Sequence, residues 1–269
     1  MIDIYSHTAT GKLINQDYIL TNLQKTDDGQ IKLQERNYII LSDGCSGSKE
    51  SDIGARILCK VAQSILEQNL EIDYFKFRTE IINKSTEIAN NLNLSLNALQ
   101  ATLIVAFFDL HETTQELKIK VLIYGDGIIG WKYKNQNTEI NTFFNIHSAP
   151  FYMMYNTSED LLKKYAEKFG TEIQIENYLN NEFQIISKSI YEPLYYELNM
   201  NEIESFFISS DGLQSFSDNG ILIDPQIIIQ NILNLNSFVG CFLHRKMNKL
   251  IKKNPHHEDD VSIGMILNK

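Results

Sequence analysis

Five aspartates stand where an apolar run of this 269-residue chain ends or begins: Asp17, Asp43, Asp126, Asp211 and Asp259. If these runs are strands, their ends bring several carboxylates together where core elements meet an open edge. Clustered carboxylates repel one another and raise each other's pKa unless a cation compensates their charge. Mg²⁺ and Mn²⁺ are natural compensating ions because they prefer oxygen ligands. The pattern therefore indicates a site for divalent cations.

Three of these aspartates are followed by glycine, and an Asp-Gly pair is also a common turn sequence. A turn is the simpler interpretation of any single pair. We interpret Asp28-Gly29, which lies between polar residues, as such a turn. Beside an aspartate that ends a strand, as at Gly44, glycine also lets the backbone approach an ion closely.

Apolar runs of strand length occur at residues 38–42, 101–108, 117–124, 128–133, 205–209 and 261–267. Apolar residues at helical spacing predict helices within 53–66, 72–92, 227–235 and 238–251. Consecutive strands joined by short turns favour antiparallel pairing over the regular alternation of a doubly wound sheet. We therefore predict an α+β fold, a four-layer αββα sandwich in which two mainly antiparallel sheets are flanked by helices.

The chain has only four prolines and no Gly/Ser-rich linker, which predicts a single domain over residues 1–269. A flap or insertion near the site is predicted around residues 144–196, where the pattern is least regular.

The balance of charge and the cysteines exclude several classes of protein. The formal net charge is -10, from 34 acidic and 24 basic residues, which disfavours a nucleic-acid partner. The three cysteines form neither a disulfide framework nor a zinc pattern, so a reducing compartment fits best. The first residues lack the basic start and apolar run typical of a signal peptide, and the sequence has no apolar stretch of about 20 residues. We expect a cytoplasmic protein with no membrane partner.

The segment over residues 43–57 resembles the metal-binding loop and following helix of protein phosphatase 2C enzymes. Further elements resemble other motifs of that family in the expected order: Asn15-Gln16-Asp17, Ala101-Thr102-Leu103, Tyr124-Gly125-Asp126-Gly127, Ser209-Ser210-Asp211-Gly212-Leu213 and Asp259-Asp260-Val261-Ser262. The start of the chain, from Ser6-His7 through Gly11-Lys12, is most similar to a bacterial branch of the family.

The resemblance implies a metal-dependent protein serine/threonine phosphatase with two or three Mg²⁺ or Mn²⁺ ions, in which a metal-bridging hydroxide attacks phosphoserine or phosphothreonine. The substrate would be a phosphorylated protein, the target of a cognate kinase. Asp43 would bridge two ions, with the Gly44 carbonyl completing one shell. Asp211 and Asp259 would hold the other ion, Asp17 would anchor coordinated water, and Asp126 would join Asp211 in a weaker third site. Asp43 and Asp211 are thus predicted to be catalytic.

The sequence departs from the family at two places. The usual phosphate-binding arginine has no counterpart, and His7 or Lys12 is predicted to bind the substrate phosphate in its place. His7 is also a candidate for protonating the leaving group. Gln16 replaces a glutamate of the outer metal shell. These departures motivate an alternative, a pseudophosphatase that acts as a binding or regulatory module. Hydrolysis of another phosphoester is a third hypothesis.

Two other patterns resemble functional motifs, and we reject both as indications of function. Residues 125–130 fit G-x-G-x-x-G, but the sequence that follows alternates like a strand, and a dinucleotide site needs a helix there. His256 and His257 are adjacent, so their side chains diverge and the spacing of a helical zinc site is absent.

Overall fold

Two antiparallel sheets stack against each other and helices cover their outer faces. The computed structural model describes residues 2–9, 12–22, 37–68, 71–110, 116–180, 182–234, 241–253 and 256–268. The turn predicted at Asp28-Gly29 lies outside these residues, as does Gly11 of the N-terminal motif.

The strands are β1 (Ile2–His7), β2 (Asp17–Thr21), β3 (Tyr38–Asp43), β4 (Leu103–Leu110), β5 (Leu117–Tyr124), β6 (Gly127–Tyr133), β7 (Thr138–Phe144), β8 (Glu172–Leu179), β9 (Glu182–Ser189), β10 (Leu194–Asn199), β11 (Ile203–Ser209), β12 (Phe216–Asp218), β13 (Ile221–Leu222), β14 (His256–His257) and β15 (Val261–Leu267). The helices are α1 (Ser51–Gln68), α2 (Tyr74–Asn91), α3 (Glu159–Phe169), α4 (Pro225–Leu233) and α5 (Phe242–Lys253). One sheet has the strand order β1-β15-β11-β6-β7-β8-β9 and the other β10-β5-β4-β3-β2. A small third sheet joins β13, β12 and β14.

The central strands are buried on both faces, which explains why their sequences are continuously apolar. Along β3, Tyr38 and Ile40 pack beneath α1 and α2, whereas Ile39 and Leu41 point between the two sheets. Alternate residues of a strand face opposite sides, so a layer covered on both faces needs apolar residues at successive positions. The same division holds in β4 and β5.

The second pair of helices, α4 and α5, covers the outer face of the seven-stranded sheet. Apolar side chains of both helices pack with β11 and β15 residues such as Phe207 and Ile263. The backbone N–H of Leu243 in the first turn of α5 donates to the buried carboxylate of Asp3 in β1 at 2.9 Å. This bond fixes the start of α5 against the sheet, since the first N–H groups of a helix have no partner within it.

The predicted four-layer α+β sandwich is confirmed. All six predicted strands form, and β5 and β15 have the predicted bounds. Four predicted helices correspond to α1, α2, α4 and α5; residues 235 and 238–240 of the last two predictions lie outside the described part of the chain.

The stretch 144–196, predicted as a flap or insertion, contributes to both sheets. Strands β8 and β9 extend the seven-stranded sheet beyond β7, and β10 forms one edge of the five-stranded sheet. Ser158 caps the start of helix α3, and its hydroxyl accepts a hydrogen bond from the Leu161 N–H. The idea that this stretch is an insertion stays a prediction, as does the single-domain assignment.

Within the described ranges, no helix has both the length and the apolar character needed to cross a membrane.

Helix α1 lies so close to the turn before β4 that only glycine fits at position 54. A Cβ atom on Gly54 would overlap the carbonyl oxygen of Ala98. Gly54→Ala would normally stabilise a helix, but here we expect it to lower the free energy of unfolding by about 1–3 kcal/mol. Urea denaturation measures the change, with Lys60→Ala on the exposed face of α1 as the control. An increase in stability for Gly54→Ala would contradict this packing.

Candidate functional site

A cavity of about 420 Å³ opens where the acidic strand ends meet. Its lining contains five carboxylates: Asp43, Asp126, Glu176, Asp211 and Asp259. Among the described residues that line it there is no lysine or arginine. The structure therefore brings together four of the five aspartates singled out from the sequence, and Asp17 lies directly beside them.

The pairing of β2 with β3 places Asp17 and Asp43 side by side. These two residues are opposite each other in the antiparallel register. Gly44, which follows Asp43, also lines the cavity. A Cβ atom on Gly44 would lie 2.7 Å from the Ser51 carbonyl oxygen and 3.0 Å from that of Gln16. Glycine is needed here because two other backbone segments pack against it.

Asp126 sits in the turn through which the chain passes from the five-stranded to the seven-stranded sheet. Its neighbours Gly125 and Gly127 have φ angles of 102° and 134°. An L side chain is strained at such angles, so glycine on both sides allows this turn. Gly127 begins β6, a strand, which rules out the helix that a dinucleotide site would require at this G-x-G-x-x-G sequence.

Asp211 and Asp259 come together through a close contact between two backbone segments. A Cβ atom on Gly212 would overlap the carbonyl oxygen of Asp260, so the turn after β11 can touch the segment before β15 only because residue 212 is glycine. The neighbouring Ser210 N–H donates to the Ser262 carbonyl at 3.0 Å. The Asp-Gly pair thus serves close packing as well as the turn.

Two buried side chains outside the predicted set hold the site together. The hydroxyl of Ser210 donates to Asp17 Oδ2 at 2.8 Å and accepts from the Ser262 N–H at 3.0 Å. The carboxylate of Asp260 accepts from the backbone N–H groups of Ala9 at 2.6 Å and Gln16 at 2.7 Å. Asp260 thereby ties the segment that leads into Asp17 to the start of β15.

The sequence offered one signal for these two residues, namely their position beside the aspartates in the Ser-Ser-Asp-Gly and Asp-Asp motifs. It did not show what they contact, since their partners are distant in the chain. Glu176, a further lining carboxylate, was not predicted, because it lies in β8 within the irregular stretch.

Four of these carboxyl groups have a raised pKa: those of Asp17, Asp43, Asp126 and Asp211. Burial raises the pKa of Asp17 to about 8, although its hydrogen bond from Ser210 opposes the change. Burial also raises the pKa of Asp43 well above its ordinary value, and the charges of Asp17 and Asp211 add to the effect. The pKa of Asp126 is raised well above its ordinary value by burial and by Asp211. Burial likewise raises the pKa of Asp211. Carboxylates so arranged favour either protonation or a bound cation.

The donor chemistry of the cavity fits a divalent cation. Two buried oxygens, Asp17 Oδ1 and Asp211 Oδ1, have no hydrogen-bond partner in the described part of the protein. Ca²⁺, Mg²⁺ and Mn²⁺ all accept such carboxylate oxygens. Across the same residues, however, no three His, Cys, Asp or Glu side chains form a group able to hold a metal ion. The cavity therefore offers oxygen atoms that suit a divalent cation, but the described side chains do not form a complete coordination shell.

Lys12 lies beside this cluster of carboxylates, in contact with Asp259 and Asp260. Its Nζ is 2.8 Å from Asp259 Oδ1 and 3.7 Å from Asp260 Oδ2, and it donates to Gln16 Oε1 at 3.3 Å. The ammonium group thus neutralises part of the charge of Asp259, a predicted metal ligand.

His7 is placed against another histidine. Its Nδ1 is 3.1 Å from Nε2 of His257, which also lies 3.2 Å from the carbonyl oxygen of Thr8. The His257 ring stacks on Phe216, and burial lowers the pKa of His257. His7 is not among the described residues that line the cavity. The roles predicted for His7 stay predictions, and its contact with His257 was not foreseen.

The match to a family model agrees with this arrangement of motifs. Residues 5–239 match the model described as protein phosphatase 2C. The chain belongs to the protein phosphatase 2C family. The matched range includes Asp17, Asp43, Asp126 and Asp211. No curated protein sequence matches the chain.

Solved structures share the fold at low sequence identity. A point mutant of a bacterial serine phosphatase aligns with a TM-score of 0.59 and 12% identity, over 100% of this chain and 98% of that one. Serine/threonine phosphatase Stp1 from Staphylococcus aureus gives 0.56 and 12%, over 100% and 94%. Serine/threonine phosphatase PstP/Ppp from Mycobacterium tuberculosis gives 0.55 and 10%, over 100% and 99%. The likeness establishes the family's fold in this chain.

The raised pKa of Asp17 predicts how the stability of the metal-free protein depends on pH. Between about pH 4, the unfolded pKa, and about pH 8, the folded pKa, the folded state keeps a proton that the unfolded state has lost. The free energy of unfolding should therefore fall as pH rises through this window. Asp17→Asn should reduce the slope, whereas Asp218→Asn, at an exposed carboxylate in β12, should not. Urea denaturation in chelator at several pH values checks this, and equal slopes for wild type and Asp17→Asn would contradict it.

Proposed function

We propose that this protein is a Mg²⁺- or Mn²⁺-dependent protein serine/threonine phosphatase. The observation that carries the proposal is the convergence of Asp43, Asp126, Asp211 and Asp259 on one cavity, with Asp17 paired to Asp43. Membership of the protein phosphatase 2C family supports the same activity. The substrate would be a phosphorylated protein, the target of a cognate kinase.

The acidity of the cavity is the main argument for bound cations. A phosphate group carries negative charge, and five lining carboxylates would repel it in the absence of a compensating charge. Asp17, Asp43, Asp126, Asp211, Asp259 and the Gly44 carbonyl are the groups that would hold two or three ions. Bound ions would neutralise the phosphate and lower the pKa of the water that attacks phosphorus.

The chain's own residues would orient these ligands. Ser210 holds one oxygen of Asp17, which leaves Oδ1 available. Asp260 accepts a hydrogen bond from the backbone N–H of Gln16, one residue before Asp17. The position of the Asp17 carboxylate therefore depends on a residue that lies 244 positions from Gln16 in the chain. Phosphoryl transfer requires mainly positioning and charge neutralisation, which such a fixed set of ligands provides.

Lys12 is the better candidate of the two residues predicted to bind substrate phosphate. Its Nζ contacts Asp259 at the cavity, whereas His7 contacts His257. When a cation binds Asp259, the ammonium group would be released to donate to a phosphate oxygen. We also propose a cytoplasmic location. None of the three cysteines forms a disulfide, which agrees with a reducing compartment.

The first test is metal-dependent release of phosphate from a phosphoserine or phosphothreonine peptide. Activity should require Mn²⁺ or Mg²⁺. Asp43→Asn and Asp211→Asn should each lower kcat/KM at least about a hundredfold, since each removes a charged ligand. Circular dichroism should show that both variants remain folded, and Asp218→Asn should retain activity.

Binding of Mn²⁺ without turnover of any phosphopeptide would contradict the proposal and favour the pseudophosphatase. Turnover of small phosphates or nucleotides in preference to phosphopeptides would favour another phosphoester as substrate.

A second test separates Lys12 from His7. Lys12→Met should raise KM for a phosphopeptide roughly ten- to a hundredfold, because a charge-assisted hydrogen bond to phosphate is lost. His7→Gln should change KM much less. Calorimetry with Mn²⁺ is the accompanying control, since Lys12→Met frees Asp259 and should not weaken metal binding. Equal KM values for Lys12→Met and wild type would exclude Lys12 from phosphate binding.

A further inference from the structure

Strand β9 forms the outer edge of the seven-stranded sheet. It pairs with β8 over its whole length with no shift of register. Its other side has no partner strand in the parts of the chain that the structure describes. An edge of this kind presents a row of unpaired N–H and C=O groups that can accept another strand.

The side chains of β9 do little to protect this edge. Six of its eight residues are exposed, among them Phe183, Ile185 and Ile186 at 51%, 57% and 37%. The strand contains no proline and no bulge, two of the features that usually block pairing at an edge. Its only lysine, Lys188, lies near its end. A regular, exposed and apolar edge strand is a site for association.

We propose that β9 pairs antiparallel with β9 of a second copy of this chain, about a two-fold axis at Ile185. The two seven-stranded sheets would then form one continuous sheet across the dimer. This inference does not rest on the proposed phosphatase activity.

The charges of β9 complement those of a second copy. In the register centred on Ile185, Glu182 lies opposite the partner's Lys188, and Lys188 lies opposite the partner's Glu182. Opposite charges on facing residues stabilise a pair of strands. Each copy of β9 thus contributes one acidic and one basic residue, and the dimer would contain two equivalent ion pairs.

Other registers lack this match. Outward-facing N–H and C=O groups belong to alternate residues, so two copies can pair only when facing residues are an even number of positions apart. A register centred on Gln184 or on Ile186 would leave Glu182 and Lys188 opposite uncharged side chains. The charges therefore select the register at Ile185.

The same register brings two apolar strips together. Phe183 and Ile185 share one face of the sheet, and the ring of Phe183 lies 4.8 Å from that of Tyr178 in β8. About the axis, Ile185 would face the partner's Ile185, and each Phe183 would face the partner's Ser187. Pairing would therefore cover exposed apolar surface as well as the open backbone.

Sedimentation velocity over a range of concentrations tests the association directly. We expect a concentration-dependent monomer–dimer equilibrium. Ile185→Lys, which sets two positive charges against each other at the axis, should raise the dimer dissociation constant at least about tenfold. Ile227→Lys is the matched control, since Ile227 in α4 is 55% exposed and lies in another layer. Hydrogen exchange of β9 amides should slow as the concentration of wild-type protein rises.

A charge swap tests the register. Glu182→Lys and Lys188→Glu should each weaken the dimer, by up to about tenfold and less at high salt. The double variant should restore it. Glu87→Lys on the exposed face of α2 changes the net charge as Glu182→Lys does and should have no effect. A chain that stays monomeric at every concentration, a dimer unaffected by Ile185→Lys, or a double variant no tighter than the single ones would each overturn the proposal.

Discussion

The carboxylates at one edge of the two sheets repel one another, and the rest of the structure has to hold them together against this repulsion. Asp17 and Asp43 face each other in adjacent strands, and burial raises the pKa of both. Asp126 and Asp211 experience the same penalty. A cluster of this kind does not form through attraction among its members. The surrounding fold has to impose it, and a bound cation would then relieve the cost.

Close backbone contacts and buried hydrogen bonds impose this arrangement. Gly212 allows the turn after β11 to touch the carbonyl of Asp260, and Ser210 joins Asp17 to the N–H of Ser262. These contacts connect β2, β11 and β15, which belong to two different sheets. The positions of the carboxylates therefore depend on how the two sheets stack, and the apolar layer between the sheets supplies the energy that holds them there.

The periphery of the molecule is organised differently. Helices cover both outer faces and fix their first turns with side chains such as Asp3, while strand β9 is left with an open edge and exposed apolar side chains. The edge lies next to β8, which contributes Glu176 to the cavity. The open edge is thus only one strand away from a carboxylate that lines the cavity, because Ile185 of β9 lies opposite Glu176 of β8.

The amino-acid sequence alone indicates the layers of the fold and singles out the aspartates that line the cavity. Continuous apolar runs indicate strands buried on both faces, and aspartates at their ends have to lie at the edge of the core, so the sequence suffices to single out Asp43, Asp126, Asp211 and Asp259. Which groups hold these aspartates in place depends on the tertiary fold. The contacts of Ser210 with Asp17, Asp260 with Ala9, and His7 with His257 join residues 193, 251 and 250 positions apart. No local pattern encodes such pairs, because they arise only when the strands have been ordered within the two sheets.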